Sequence, residues 1–347
     1  MDLTIALDAM GGDGAPDVIV RGADLARTRY PDIKFLFYGD ETQVRRLLDS
    51  YDKLAAVSRL FHTDVVVSNE DKPSMALRNG RGSSMGLAIG AVKSGDAAGV
   101  VSAGNTGALM AMAKLALRTL PGITRPAIAS VLPTAVSECV MLDLGANIQC
   151  DDRNLVEFAI MGEVFARTVL GLPKPAIGLL NVGEEDLKGH EAIRQAASTL
   201  RDIDLPIEFQ GFVEGDAIWT GGVDVVVTDG FTGNVALKTA EGIAKMYTSF
   251  MRNAYKSSWL SRLGYVLSRE ALNEVRVKVD PRRYNGAMLL GLNGIVIKSH
   301  GGTDAFGFAN AISVAVDMVS GGFNDMIMQE FDRLGDFGSP LQKVASS

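Results

Sequence analysis

Short apolar or β-branched runs alternate with amphipathic helical patterns along almost the whole chain, and this limits the possible fold more than any other feature. Strand-type runs fall at 3–7, 33–38, 64–67, 99–101, 127–132, 139–142, 176–180, 207–210, 224–228 and 294–298. Strands separated by helices pair mainly in parallel, with the helices covering both faces of the sheet. The expected fold class is α/β, a mainly parallel sheet sandwiched by helices. The 347 residues exceed the roughly 250–300 at which one core stops growing, so two lobes or one large sheet with an insertion is expected. Residues 1–347 are expected to form a single α/β enzyme domain with a protruding helical hairpin over 234–279.

The runs end in similar punctuation: DAMGGDG, YGD, SAGNTG, DLGAN, NVGEE, TDGFTGN and KSHGG. In an open α/β sheet the carboxyl ends of the strands line the ligand crevice. Seven such turns are therefore expected on one sheet edge, as walls of a composite site. The first places Gly11 and Gly12 between Asp8 and Asp13, without a lysine, so positive character must come from other loops.

Two stretches suit an anion. Residues 223–242 read as a buried strand, a glycine loop (Gly230, Gly233) and a helix opening near Asn234, with Thr232 and Lys238 close by. Backbone N–H groups at a helix start bind anions without a Walker motif. SAGNTGA repeats the arrangement with Gly104, Asn105 and Thr106. Capping is the competing role for Asn234 and Thr106. Lys188, in NVGEEDLKGH, either carries charge to a substrate or pairs with Glu184 at i,i+4. Lys298, Ser299 and His300 end the last strand, with His300 either an acid–base group or a turn spacer.

Several chemistries are disfavoured. Gly82-Ser83-Ser84-Met85-Gly86 matches a nucleophile elbow, but no hydrophobic strand precedes it. No Gly-x-Gly-x-x-Gly follows a strand, and three histidines give no metal spacing. Neither a metal nor a cofactor is expected. A net charge of −7 argues against nucleic acid as a partner. Cys139 and Cys150 fit a reducing cytoplasm, and the acidic start MDLTIALDAM does not resemble a secretory signal.

From 234 to 254, apolar residues recur at steps of four and three, and a second helix is expected from about 259 to 277. A helix of some twenty residues is roughly 30 Å long, so a projecting hairpin that pairs with another subunit is expected. At its tip, Trp259, Leu260, Leu263, Val266 and Leu267 share one arc. From 252 to 283 there are eight bases and three acids, a net +5. That combination suits an anionic membrane surface or an acidic protein, or simply a solvated face packed in a dimer.

IALDAMGGDGAP, SAGNTGA, MLDLGAN, DGFTGN and GIVIKSHG, in that order, closely resemble the signature stretches of the bacterial phosphate acyltransferase (PlsX) family. The resemblance implies conversion of acyl-(acyl carrier protein) and inorganic phosphate to acyl phosphate and free carrier protein, for phospholipid synthesis. It implies a homodimer with a fold similar to the isocitrate/isopropylmalate dehydrogenase group and to phosphotransacetylases. It also implies a cytoplasmic enzyme in peripheral contact with the membrane and with the acyltransferase that uses acyl phosphate. On that resemblance, SHGGTD is similar to a Ser-Arg-Gly stretch of phosphotransacetylases, with His300 in place of arginine. The resulting expectation puts phosphate at the Gly230–Asn234 and Gly104–Thr106 loops. Lys188 and His300 would stand near the carbonyl or sulfur, and Asp8 and Asp13 would hold lysines and loop amides in position. The alternatives are an acyl-CoA phosphotransacylase, a nicotinamide-dependent dehydrogenase and a non-catalytic membrane scaffold.

Overall fold

The structure, a computed structural model, describes residues 3–335. Eleven strands appear: β1 Thr4–Asp8, β2 Lys34–Gly39, β3 Ser58–His62, β4 Gly99–Ser102, β5 Ala127–Pro133, β6 Glu138–Leu142, β7 Ala176–Leu180, β8 Glu208–Val213, β9 Val225–Val227, β10 Ala287–Leu290 and β11 Ile295–Lys298. The helices are α1 Asp17–Arg29, α2 Glu41–Leu48, α3 Asp52–Ala55, α4 Pro73–Asn79, α5 Ser84–Ser94, α6 Thr106–Leu117 and α7 Asp152–Val169. They continue with α8 Glu191–Asp202, α9 Ala217–Thr220, α10 Gly230–Lys256, α11 Trp259–Leu267, α12 Arg269–Lys278, α13 Ala305–Ser320 and α14 Phe323–Leu334.

All eleven strands join one sheet in the order β3-β2-β1-β4-β11-β10-β5-β6-β9-β7-β8. Pairing is parallel except at β11–β10, β10–β5 and β5–β6. The mixed α/β class is as expected, but three successive reversals turn the second half over. Strands β3, β2, β1, β4 and β11 run one way, and β6, β9, β7 and β8 run the other.

This corrects the expectation that seven turns share one edge. The turns after β1, β2, β4 and β11 leave one edge, and those after β6, β7 and β9 leave the opposite one. The sequence held a signal for the reversal: β5 and β6 are too close along the chain for a parallel crossover, which takes a dozen or more residues. Strand β10 was not foreseen. The run at 64–67 is not a strand; Val65 and Val66 are exposed loop residues, and the edge strand β3 lies just before them.

Alternation along each strand separates two faces. On one face Ile5, Leu7, Val101, Ile297, Ala127, Leu142 and Val227 belong to a single core that runs across both halves under α1, α7 and α13. On the other face there are two clusters. One, with Ala6, Val100 and Val296, lies under α5 and α6; the other holds Ile128, Met141 and Val226 against Ala236 and Leu237 of α10. Met110 of α6 touches both clusters. Between them β10 and β5 are thinly covered, and Ala287 and Ser130 are half-buried. An open cleft therefore lies over the sheet centre, with α6 on one wall and α10 on the other.

Helix α10 spans 27 residues, about 40 Å at 1.5 Å per residue, and only Gly230 and Gly233 in it are buried. The expected second helix is broken at Ser268, whose Oγ donates to the Gly264 carbonyl at 2.7 Å, into α11 and α12. Tyr255 and Tyr265 stack edge-on at 5.4 Å and tie α11 to α10. Among the described residues, no single helix is long and apolar enough to cross a membrane.

Candidate active site

Three neighbouring strands build one wall of the cleft. Leu7 pairs with Val101, and Val101 with Ile297, so the next residues along, Asp8, Ser102 and Lys298, form a row on the cleft face. Ser102 Oγ donates to Asp8 Oδ2 at 2.6 Å and accepts from the Gly104 amide at 3.1 Å. Lys298 Nζ donates to the carbonyls of Ala103 and Ser299.

The electrostatics follow from burial. Desolvation raises the Asp8 carboxyl above its usual range, opposed by Ser102, Ser84, the Met10 amide and the charge of Lys298. The buried Ser84 hydroxyl meets no partner at hydrogen-bond geometry but faces this carboxylate. Burial lowers Lys298 to about 8, while Asp8 and Asp13 pull it back up and Lys238 pushes it further down. Lys238 belongs to α10, so the two halves of the sheet come within electrostatic reach across the cleft. It lies one helical turn beyond Asn234, on the same exposed stripe, and its Nζ pairs with Glu241 at 2.9 Å.

Close packing explains the glycines of the first loop. A Cβ on Gly11 would stand 2.5 Å from Asp8 Oδ2 and 2.7 Å from the Gly104 nitrogen. Gly12 has a φ of +96°, and a Cβ there would stand 2.9 Å from that of Ala103. The Asp13 amide donates to the Gly301 carbonyl at 2.9 Å. The turns after β1, β4 and β11 thus interlock, bringing Asp8 and Asp13 within electrostatic reach of Lys298.

Other predicted residues occupy more structural places. Asn105 caps α6, its Oδ1 accepting from the Ala108 amide at 3.0 Å, while its Nδ2 donates to the carbonyls of Ser68, Asn69 and Asp71. Thr106, next in the chain, is exposed. Ser299 points to the opposite face from Lys298, is fully buried and accepts from Asn285 at 2.8 Å. His300 is exposed; its backbone amide donates to Asn285 Oδ1 at 2.8 Å, and its Nδ1 accepts from the Gly302 amide at 3.2 Å.

The opposite edge carries the second group. Helix α10 opens at Gly230 rather than near Asn234, because Asp229 is its N-cap and accepts from the Thr232 amide and hydroxyl at 2.8 and 2.9 Å. Asp143, fully buried, accepts from the amides of Ile128, Gly145, Ala146 and Asn147 and from Asn147 Nδ2. Carboxylates of the chain thus already engage these amides. Gly230 and Gly233 serve close approach: a Cβ on Gly233 would lie 1.9 Å from the Asp143 carbonyl oxygen. Asn234 is free of the cap and exposed beside Gly145. Lys188 is exposed on the β7–α8 turn, at the edge opposite to His300, so the strand ends do not bring those two together.

Strand β9 ends at Val227, one residue short of the expected Thr228, which leaves Asp229 free to cap α10; an acid three residues before Thr232 is the sequence signal for it. Two surface cavities lie elsewhere, one bounded by Glu138, Arg283 and Phe306, the other by Thr4, Asp96 and Gly294. The first offers one cation, Arg283, beside an acid, and the second none, whereas the strand-end row brings Lys298 beside the glycine turns after β1 and β4.

The profile of a family described as "Fatty acid synthesis protein" matches residues 3–326. A phosphate acyltransferase of Rhodospirillum centenum is 64% identical over 330 residues, 95% of this chain and 93% of that one. One from Paramagnetospirillum magneticum is 60% identical over 332 residues, 96% of this chain and 95% of that one. Among solved structures, a phosphotransacetylase from Streptococcus pyogenes superposes with a TM-score of 0.61 at 18% identity, over 92% of this chain and 94% of that one. The EutD phosphotransacetylase from Staphylococcus aureus gives 0.60 at 16% identity, with the same coverage. These two likenesses are of fold.

Proposed function

The chain belongs to the fatty acid synthesis protein family, and from that membership we propose that it is a phosphate acyltransferase making acyl phosphate from an acyl thioester and inorganic phosphate. The observation that carries this reading is the 60% and 64% identity to phosphate acyltransferases over 96% and 95% of the chain. Lys298 at the strand ends and Lys238 on α10 are the cations assigned to the phosphate, and an anion between them would be attracted from both sides.

The chemistry needs little more than positioning. A phosphate oxygen attacks the thioester carbonyl carbon, the C–O bond forms, and the C–S bond breaks as the tetrahedral intermediate collapses. The sulfur leaves as a thiolate, whose conjugate thiol has a pKa of about 8.5, so it departs near neutral pH without prior protonation. Phosphate is already anionic and needs no base. Holding it against the carbonyl, and stabilising the oxyanion with fixed amides, supplies the acceleration.

In this proposal Lys298, with Gly11, Gly12 and Gly104 beside it, forms the phosphate wall. Asn234 and Lys238 face it from α10. His300 stands by Lys298, and Lys188 works from the β7 side together with Asn234. The donor is acyl-(acyl carrier protein), and the product feeds phospholipid synthesis. The hairpin completes the proposal: Ile243, Met246, Tyr247 and Phe250 of α10 are exposed and pair with a second copy, and the basic, apolar tip touches the membrane where an acyl-phosphate-using acyltransferase works.

The test is mass-spectrometric detection of acyl phosphate after mixing the protein with acyl-(acyl carrier protein) and phosphate, with acyl-CoA as a parallel donor. A phosphate-dependent product from the carrier-protein donor supports the reading. A product from acyl-CoA alone favours the phosphotransacylase, and none from either refutes it.

A further inference from the structure

We propose that Asp8 and Ser102 are positioning residues for Lys298: the serine hydroxyl locks the buried carboxylate in the same strand-end row as the lysine, so that its charge favours the ammonium that the carbonyls of Ala103 and Ser299 hold on the cleft wall. The inference rests on reading this cleft as the phosphate site.

The row exists because β1, β4 and β11 are adjacent, parallel and in register, with neighbouring strands about 4.8 Å apart. Strand ends are where polar residues can follow apolar ones, so each strand contributes its last cleft-facing residue. Ser102 has its hydroxyl proton committed to Asp8 and an oxygen lone pair committed to the Gly104 amide. That fixes the carboxylate in one orientation.

The surroundings enforce it. Gly11 and Gly104 close on the carboxylate from two loops, and a Cβ on Gly104 would stand 3.3 Å from Asp8 Oδ2 and 2.7 Å from Met85 Cε. Both Asp8 and Ser102 are sealed from solvent, at 1% and 0% exposure, so neither touches substrate. A buried carboxylate is costly unless compensated, and an apolar residue would fill the same space more cheaply. Its charge matters to Lys298.

The groups facing that lysine are Asp8 from β1, Asp13 from the β1–α1 turn and Lys238 from α10, with His300 two residues further along its own turn. Burial and Lys238 favour the neutral amine, and Asp8 and Asp13 favour the ammonium. Removing Asp8 tips that balance toward the amine, which is a poor anion ligand.

The experiment uses the full chain with Asp8→Asn and Ser102→Ala. It follows phosphate-dependent acyl phosphate formation from pH 6 to 10, and the pH dependence of Lys298 amine labelling by mass spectrometry, which needs no substrate. Asp8→Asn is expected to move the alkaline limb and the labelling midpoint down by about one unit. It should also raise the phosphate KM at least tenfold while changing kcat less. Ser102→Ala, which leaves the carboxylate less well held, is expected to shift both in the same direction by a smaller amount. If Asp8→Asn does not fold, Ser102→Ala decides alone. Unchanged midpoints in a folded variant overturn the inference. The expected labelling shifts in the variants, together with no acyl phosphate formed by the wild type, would instead overturn the functional reading and leave the dyad standing.

Discussion

Replacing Lys298 with methionine separates stability from activity, because the two should move in opposite directions. The side chain is lowered from an ordinary 10.5 to about 8, which corresponds to about 3 kcal/mol of cost for keeping it charged in the folded state. Its folded pKa lies below its unfolded one, so between pH 8 and 10.5 the unfolded chain binds a proton that the native chain has lost. Stability from this group therefore rises with pH across that window. The cost is nearly complete at pH 7 and falls to about 1 kcal/mol at pH 10. Urea unfolding of the wild type and Lys298→Met at both pH values reads the difference directly. The variant should gain about 2 kcal/mol more, relative to wild type, at pH 7 than at pH 10. The same variant loses hydrogen bonds to phosphate from a charged group, worth about 1.5–3 kcal/mol, so kcat/KM for phosphate should fall by roughly 10- to 100-fold. A stability difference that does not change with pH would refute the placement of a half-buried, charged lysine at this wall.

Asn234→Ala should lower turnover at least tenfold and leave the melting temperature within a degree or two, since its side chain is exposed and Asp229 supplies the cap; unchanged activity in steady-state assays would remove it from the site. Gly233→Ala should destabilise by about 1–3 kcal/mol or more, as its Cβ would meet the Asp143 carbonyl at 1.9 Å, and thermal unfolding checks it. Leu263→Glu, at an exposed tip position, should weaken co-sedimentation with anionic vesicles several-fold without altering activity on soluble acyl-(acyl carrier protein); equal binding would exclude the tip from membrane contact.

Much of the architecture could be read from local pattern. The runs that became β1, β2, β4 to β9 and β11 are apolar and bounded by glycine or acids, so their existence was plain. Their direction was not, because direction depends on which strands pair across 11 positions of a sheet. The short gap between β5 and β6 announced one reversal, whereas Ala287–Leu290 is bounded by Asn285-Gly286 and Gly291 but is only four residues long, too short for its pattern to set it apart from the β11 run that follows. The run at 64–67 misled because β-branched residues suit an exposed loop as readily as a strand when no partner is available. The site divides the same way. The glycine turns stand out in the sequence, but interlocking loops and buried acids account for most of them. The Asp8–Ser102–Lys298 row needed the register of three strands separated by nearly 300 residues. Helix α10, which carries the second half's contribution back over the sheet face, is what reunites residues that the strand ends leave on opposite edges.

In the proposed site one phosphate is gripped from both halves of the sheet, by Lys298 on one wall and Lys238 on the other. Calorimetric titration of phosphate into the wild type, Lys238→Met and Lys298→Met tests it most directly. One phosphate per chain is expected, binding at least tenfold weaker without Lys298 and roughly threefold weaker without the more exposed Lys238. Undiminished affinity in Lys238→Met, with the protein folded, would contradict it.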